Sequence, residues 1–318
     1  MVNLTNCKPV ASSTAQPRVS IGLPVYNAEQ YLEQSIAAIL AQTYRNFELV
    51  ISDNASIDST EAICRRYAAL DSRVRYYRNP RNQGATFNFR RVVTLSSGDY
   101  FLWAAHDDLF APEYVECCVA VLEHNPDVVL CYSKSIEIDG HGQQLRHNEQ
   151  IVSADSPHPH RRFRELIRMD HNCQIMFGVM RAGVLKRTSV HADFPDSDRC
   201  MLAEVALYGR FFEIGDHLFF HRRHAEQITQ KFPTRQERMV RLDPDRHFLI
   251  VLPHFRQFWE YILAIHRTPL SWRDRMRCYF EMLRWFRDNA LRLAWDFRYV
   301  LVRMLQPFRL KYRRWRQV

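Results

Sequence analysis

The sequence predicts an α/β protein with a mostly parallel sheet, flanking helices and an α-helical extension at its C-terminal end. Three observations carry this. From Arg18 onward, short apolar runs alternate with helical patterns at intervals of about 30 residues, the spacing of strand–helix–strand units. One run, Tyr100–Ala105, ends at the adjacent carboxylates Asp107 and Asp108, and the carboxyl ends of parallel strands are where open α/β sheets hold ligands. After Pro244 the alternation gives way to aromatic residues at helical spacing, with arginines between them.

In chain order, residues 1–17 read as a flexible lead. Arg18–Pro24 is a strand stopped by proline, and a helix opened by Asn27 or Ala28 runs to Gln42. Phe47–Ser52 is a second buried strand, followed by a polar turn and a helix capped by Asp58 or Ser59. Val74–Tyr77 is a third strand, Asn79–Gly84 a turn-rich loop, and residues 86–95 a helix. Pro112–His124 is a helix and Val128–Ser133 a strand, whereas 139–160 is rich in Gly, His, Ser and Pro and reads as a loop. Phe163–Met169 is a helix. Gln174–Met180 is strand-like, Ala182–Arg187 starts a helix, and Cys200–Gly209 is a helix closed by its glycine. Phe211–Ile214 and His217–His221 read as a strand pair at an antiparallel edge. The division is therefore a lead over 1–17, an α/β domain over 18–244, and a helical segment over 245–318.

Charge divides the chain at the same place. Residues 1–245 carry 28 Lys+Arg against 30 Asp+Glu, whereas 246–318 carry 16 against 5. The overall charge of +9 thus belongs to the C-terminal segment, which predicts attraction to something anionic. Eight cysteines occur without a C-x-x-C pair, which argues against a zinc site or a disulfide framework and for a reducing, cytoplasmic setting. Met1 to Arg18 is polar and does not read as a secretory signal. The most apolar window, Phe248 to His266, is broken by His254, Arg256 and Glu260 and is too short of apolar residues to span a bilayer.

The chemistry concentrates in acidic residues at strand ends. Two neighbouring carboxylates repel by about 1 kcal/mol in water and about 4 kcal/mol at an effective dielectric of 20. A divalent cation relieves that repulsion, and oxygen donors suit Mg²⁺ or Mn²⁺. Asp53, at the end of the second strand, is either an acceptor for a base edge or the Asx-turn of its own loop. Asn27 reads as a helix cap and Pro24 as a strand stop near the same place.

Taken together, VSIGLPVYNAEQYLEQSI, QTYRNFELVISDNASIDST and HDD, in this order and at these distances, resemble the inverting glycosyltransferases of family 2, which have the GT-A fold. The resemblance covers residues 18–230. It implies a Rossmann-like, mostly parallel sheet and transfer of a sugar from a nucleotide-sugar, UDP- or dTDP-linked, to a hydroxyl acceptor. It implies that Pro24, Tyr26, Asn27, Asp53, Gly84 and Asp107 bind the nucleotide-sugar, with Asp53 on the uracil ring and Asp107 on the ribose and diphosphate side. The resemblance further implies that Asp108 ligates Mn²⁺ or Mg²⁺ on the diphosphate, joined by His224, which fits the family's R-x-H segment better than His221 and otherwise reads as a surface loop histidine. The base that deprotonates the acceptor is Asp198, in Ser-Asp-Arg at a helix start; Asp193, Asp196 and Glu204 compete with it, and a plain N-cap is the other reading. Arg222 and Arg223 read as surface arginines close enough to help hold a diphosphate. The sequence departs from the family at His106, before the aspartate pair, in the loop Gly84–Arg91, and at Ser197-Asp198, where the family has Glu-Asp.

Arginine interleaved with Trp, Tyr and Phe over 246–318 suits an anionic membrane surface, which would place the protein peripherally at the inner face of the plasma membrane. A helical subdomain packed on the core is the other reading. Helical spacing of the aromatics argues against nucleic acid. The acceptor implied is a cell-surface glycan or a lipid-linked saccharide. A nucleotidyltransferase would want a Gly-rich phosphate loop with lysine after the first strand, where this chain has Leu23-Pro24-Val25-Tyr26. A sugar-nucleotide- or glycan-binding protein without catalysis is the non-enzyme alternative, and intact Asp53, Asp107, Asp108 and Asp198 argue against it.

Overall fold

The computed structural model describes residues 17–148, 154–168, 173–190, 196–225 and 252–298, together with Val152, Phe194 and Gln227. Its centre is a nine-stranded sheet in the order β3-β2-β1-β4-β8-β6-β9-β5, with β7 added against β6. The strands are β1 Val19–Val25, β2 Phe47–Asp53, β3 Val74–Arg78, β4 Tyr100–Trp103, β5 Leu109–Phe110, β6 Val128–Ile138, β7 Gln144–Asn148, β8 Val179–Arg181 and β9 Arg210–Arg222. β1 to β4 pair in parallel, β8 inserts antiparallel to both β4 and β6, and β9 runs parallel to β6. The carboxyl ends of β1, β2, β4, β6 and β9 therefore share one side of the sheet, and the segment before β8 begins there too.

Helices cover both faces. On one face lie α1 Leu32–Leu40, α2 Thr60–Leu70 and α4 Tyr114–His124, whose Leu32, Ile36, Ile39, Ile63, Cys118 and Leu122 share a core with Ile21, Leu23, Leu49 and Ile51 of the central strands. On the other lie α3 Ala85–Leu95, α5 Pro159–Arg168, the short α6 Ala182–Leu185 and α7 Ser197–Tyr208. Two more helices, α8 Pro253–Arg267 and α9 Trp272–Asp288, join that second core through Tyr261, Ala264, Ile265, Cys278, Met282 and Trp285. A further short helix follows over 290–298. The C-terminal helices thus pack on α5 and α7. The basic run Arg309–Arg316 lies outside the described residues.

Several sequence expectations need local correction. β1 does not stop at Pro24 but continues to Val25. Its pairing with β4 ends at Gly22↔Trp103, so the missing N–H of Pro24 falls where β4 has already ended. α1 starts at Leu32 rather than at Asn27 or Ala28, because the intervening residues are spent on the neighbouring loop. Asn27 adopts φ 48°, its N–H donates to Ser56 Oγ at 2.9 Å and its Oδ1 accepts from Ile57 N at 3.0 Å. Ala28 N donates to Thr60 Oγ1, Glu29 N donates to the Asp58 carboxylate, and the Glu29 carboxylate accepts from Ser59 N. The stretch 139–160 holds β7 and the start of α5. Gln174–Phe177 is a 3₁₀ turn after Cys173, whose φ is 58°, and only Val179–Arg181 is strand. The expected pair Phe211–Ile214 and His217–His221 is one strand. Its partner register jumps from Ser133↔Ile214 to Lys134↔His217, so Gly215 and Asp216 bulge out of the ladder instead of turning the chain back.

Gly22 is fixed by packing. A Cβ there would lie 2.7 Å from the Phe101 ring and 2.8 Å from Val92 Cγ2, in the seam between β1, β4 and α3. Gly22→Ala is expected to destabilise the protein by about 1–3 kcal/mol through overpacking. A lowered denaturation midpoint at unchanged m-value would register it; an unshifted midpoint would show that the seam yields.

Candidate active site

Two clusters form where the parallel strands end. The first surrounds Asp53. Its carboxylate is fully buried and already saturated: Oδ1 accepts from Ser56 N at 2.9 Å and Ser56 Oγ at 2.6 Å, and Oδ2 accepts from Tyr76 OH at 2.8 Å with Arg78 Nε at 3.4 Å. Here Asp53 is the Asx-turn that holds the loop after β2. Next to it runs an amide network. Asn54 Nδ2 donates to Asn82 Oδ1 and to the Gly84 carbonyl, and Asn54 Oδ1 accepts from Asn79 Nδ2 and Gln83 N. Asn88 Nδ2 donates to the carbonyls of Val25 and Ser52, and Asn88 Oδ1 accepts from Ser52 Oγ. Gly84 opens α3 at φ 86°, a left-handed conformation that favours glycine. These bonds bind the ends of β1, β2 and β3 to the start of α3. Pro24 is buried within that floor, Tyr26 is half-buried at its edge and Asn27 is exposed.

The second cluster surrounds Asp107 and Asp108, just past β4. Asp108 is 1% exposed and Asp107 partly exposed. The carboxyl end of β9 closes on them. His221 Nδ1 lies 3.1 Å from Asp108 Oδ1, and Arg222 N donates to the same oxygen at 2.9 Å. His224 Nε2 lies 2.9 Å from Asp107 Oδ2. His221 rather than His224 is therefore brought to Asp108. His106 is half-buried beside the pair.

Adjacent like charges divide the two carboxyls. Burial pushes Asp107 up, but the His224 hydrogen bond and the charges of His106 and His224 outweigh it and hold it low, at about 2. Asp108 goes the other way. Burial raises it first and the charge of Asp107 next, and the bonds from His221 and Arg222 only partly offset them. Burial alone would lower His221, yet its bond to Asp108 leaves it raised.

Arg222 is not a surface arginine. It is fully buried, and its guanidinium joins four pieces of backbone and helix. Nε donates to the Asp107 carbonyl at 2.8 Å, Nη1 to the carbonyls of Asp139 and Gly140 at 3.2 Å, and Nη2 to Gln34 Oε1 at 2.9 Å. Its cation rests 4.6 Å from the centre of the Tyr31 ring, which also touches His224. Gln227 donates to the Arg222 carbonyl. Arg223 points elsewhere, to Glu137 at 2.7 Å.

The donor set suits a hard cation that brings further ligands with it. Among the described residues no three side chains converge as a ready metal cage. Carboxylate oxygens beside a diphosphate need no such cage, because Mg²⁺ is commonly held by one or two carboxylates plus substrate phosphates. The buried His224 Nδ1 has no hydrogen-bond partner among the described residues, and the repulsion on Asp108 is only partly relieved. Both observations fit a site completed by a cation and its anionic ligand.

Asp198 lies on the other wall, in the first turn of α7, half-buried. Burial raises its carboxyl and the charge of Asp196 adds to that, opposed by the Arg199 backbone N–H and a bond with Cys173. Cys173 precedes β8, which starts beside the carboxyl end of β4, so Asp198 faces the same side of the sheet as the two clusters. Of its competitors, Asp196 is the N-cap in a left-handed conformation. Asp193 lies outside the described residues. Glu204 is fully buried, bonded by Arg267 at 2.8 and 2.9 Å and by Ser189, which makes it a structural carboxylate.

The model of glycosyl transferase family 2 matches residues 20–187. The chain belongs to this family. An uncharacterized glycosyltransferase of Rickettsia typhi is 34% identical over 146 residues, 45% of each chain. One of Haemophilus influenzae is 27% identical over 226 residues, 69% of this chain and 70% of its own. The chain thus spans less than half the length of the Rickettsia relative. Among solved structures, Staphylococcus aureus TarS 1–349 with UDP-GlcNAc superposes at TM-score 0.60, with 16% identity over 85% of this chain and 72% of its own. The mannosyltransferase PcManGT of Pyrobaculum calidifontis, solved with GDP-Man and Mn²⁺, superposes at 0.50 with 16% identity, covering 96% of this chain and 86% of its own. At these identities the likeness is one of fold, and the fold is GT-A. For this family 2 chain, sequence reasoning missed Tyr31, Gln34 and the Asn79–Asn88 amides as parts of the site's frame. Tyr31 had only helical spacing to mark it.

Two outcomes follow from this framework. Arg222→Lys keeps the charge but loses the planar fork that reaches four acceptors, and is expected to lower stability by about 2–4 kcal/mol in denaturant unfolding; a loss below about 0.5 kcal/mol would show that the fork is dispensable. Glu137, on β6, is pushed up by burial but held down more strongly by Arg146 and Arg223, to about 2 from 4.5. A lowered folded-state value contributes stability above pH 4.5 that is lost as pH falls toward 2. Unfolding curves at pH 6 and pH 3 are expected to show this loss in the wild type, about 1 kcal/mol after allowance for solvent around the arginines. In Glu137→Gln the loss should be smaller by that amount; an identical slope in both proteins would contradict it.

Proposed function

We propose that the protein transfers a sugar, with inversion, from a UDP- or dTDP-linked donor to a hydroxyl of a cell-surface glycan or lipid-linked saccharide. The observation that carries the reading is the buried Asp107–Asp108 pair, held at the end of β4 by the end of β9. Family membership and the GT-A fold support it. The base and ribose lie on the floor formed by Pro24, Tyr26, Asn27, Asp53 and Gly84. A base edge reaches Asp53 only by replacing its longest partner, Arg78 at 3.4 Å. Asp107 stays ionised and faces the ribose and diphosphate side.

Asp108 and His224 would hold Mn²⁺ or Mg²⁺, with His221 as a third donor adjacent to Asp108. Such a cation, when bound, supplies electrostatic stabilisation of the departing diphosphate. The chain's own residues do the rest. Arg222 fixes the Asp107 carbonyl and the loop after β6, so the carboxylates keep their aim as charge develops. Asp198 accepts the proton of the acceptor hydroxyl. Burial and the neighbouring charge of Asp196 raise this carboxyl above its ordinary value, which makes it a stronger proton acceptor for that transfer.

Two substitutions separate these roles. Asp198→Asn is expected to lower kcat by about 10²–10⁴-fold while thermal shift with nucleotide-sugars stays as in the wild type. Asp108→Asn is expected to abolish the extra stabilisation that Mn²⁺ gives in the presence of UDP-sugars. Undiminished donor turnover in Asp108→Asn would sink the metal assignment, and undiminished transfer in Asp198→Asn would move the base elsewhere. A panel of UDP-, dTDP- and GDP-sugars in the same thermal-shift format identifies the donor.

A further inference from the structure

α9 has two apolar faces; one is buried in the fold, and among the described residues the other is largely uncovered, with Phe286 meeting Phe258 of α8 edge-on. Cys278, Met282 and Trp285 are buried against α5 and α8. Trp272, Met276, Phe280, Leu283 and Phe286 are 45–72% exposed. Their spacing of four, four, three and three residues places them within an arc of about 120° at about 100° per residue. Arg273, Arg277, Arg284 and Arg287, all exposed, follow along one margin of that arc. Asp274, Glu281 and Asp288 lie beyond the arginines, away from the apolar stripe. Glu281 is buried, and the pairs Arg284–Glu281 and Arg287–Asp288, both at 2.9 Å, are on the helix's own surface, where such pairs hold a guanidinium weakly.

We infer that this outward face of α9 docks on an anionic lipid surface, with Trp272, Phe280, Leu283 and Phe286 at headgroup depth and the four arginines against phosphate. The inference concerns where the protein works and does not rest on its chemistry. Charge selects the occupant. A second copy would bring the same arginines to the contact. The chain's own end over 299–318 carries six Lys+Arg and no acid, so it too is repelled from this margin. An anionic membrane matches both parts of the face, because apolar rings enter the interface while cations meet its negative potential. Arg298 over Trp295 at 5.2 Å, with Leu291 also exposed, continues the same composition beyond α9.

The test uses the full chain, vesicle co-sedimentation and light scattering. The wild type is expected to partition about tenfold more strongly onto phosphatidylcholine–phosphatidylglycerol vesicles than onto phosphatidylcholine alone, and to lose that preference in high salt. The double variant F280D/L283D, with both substitutions at exposed positions, is expected to keep the wild-type unfolding midpoint and lose about tenfold in partitioning. Equal binding to both vesicle types would overturn the inference, as would full binding by the variant. A wild-type dimer that becomes monomeric in the variant, without vesicle preference, would assign the face to self-association instead. Because none of these readouts uses sugar transfer, the docking face stands or falls separately from the proposed reaction.

Discussion

Two carboxylates adjacent in sequence and taken out of water impose the main constraint on this molecule. At an effective dielectric of 20 their repulsion is about 4 kcal/mol, so donors must be delivered to them from elsewhere. The delivery comes from β9, more than 100 residues later in sequence. Its last residues place an imidazole and a backbone N–H on Asp108, and His224 just past its end places an imidazole on Asp107. This explains why β9 is one long strand with bulged residues at Gly215, Asp216 and Leu218. The bulges let a strand that starts in register with Val128 at Arg210 still finish with Arg222 beside Ile138 and Asp107. A hairpin at Gly215 would have left the aspartates facing each other unsupported.

The floor of the site is built by a second device, cross-capping between loops. The loops after β1 and β2 spend their polar side chains on each other, through Asn27, Ser56, Asp58, Glu29 and Thr60. Asn27, Ala55 and Gly84 all sit at positive φ around this floor. At Asn27 and Ala55 this is strain, which persists only where neighbours over-determine the backbone, and the buried amides of Asn54, Asn79 and Asn88 supply that. The result is a rigid cradle whose shape does not wait for a ligand.

The parallel half of the sheet was legible because buried strands announce themselves as apolar runs. Ile21, Leu49 and Leu102 need only local patterning to be placed, and the aspartates follow at the strand ends. What failed depended on partners far away in sequence. Arg222 looks like any surface arginine in His-Arg-Arg-His until Gln34, Asp107 and Gly140 converge on it. Asn27 looks like a helix cap, but its acceptor serves Ile57 in another loop. Asp53, by its context in the sequence, suits a base edge better than its own Asx-turn, and only the positions of Tyr76 and Arg78 show how fully its lone pairs are used. Patterning reports burial, whereas hydrogen-bond partnership across the sheet leaves no periodic trace.

The C-terminal helices are part of the same mechanical unit. Arg267 of α8 grips the buried Glu204 of α7 with two bonds, while Tyr261 packs edge-on to Phe163 of α5 and Trp285 of α9. A buried ion pair of this geometry adds less to stability than to uniqueness of docking, because any shifted arrangement would strand a charge. α7 is also the helix whose first turn carries Asp198. The segment with the outward basic-aromatic face is therefore not a loose tether: its orientation is transmitted through α8 and α7 to the wall that Asp198 occupies. Whatever that face rests on is held at a fixed attitude to that wall, and an acceptor carried by the same surface would meet the site in one orientation.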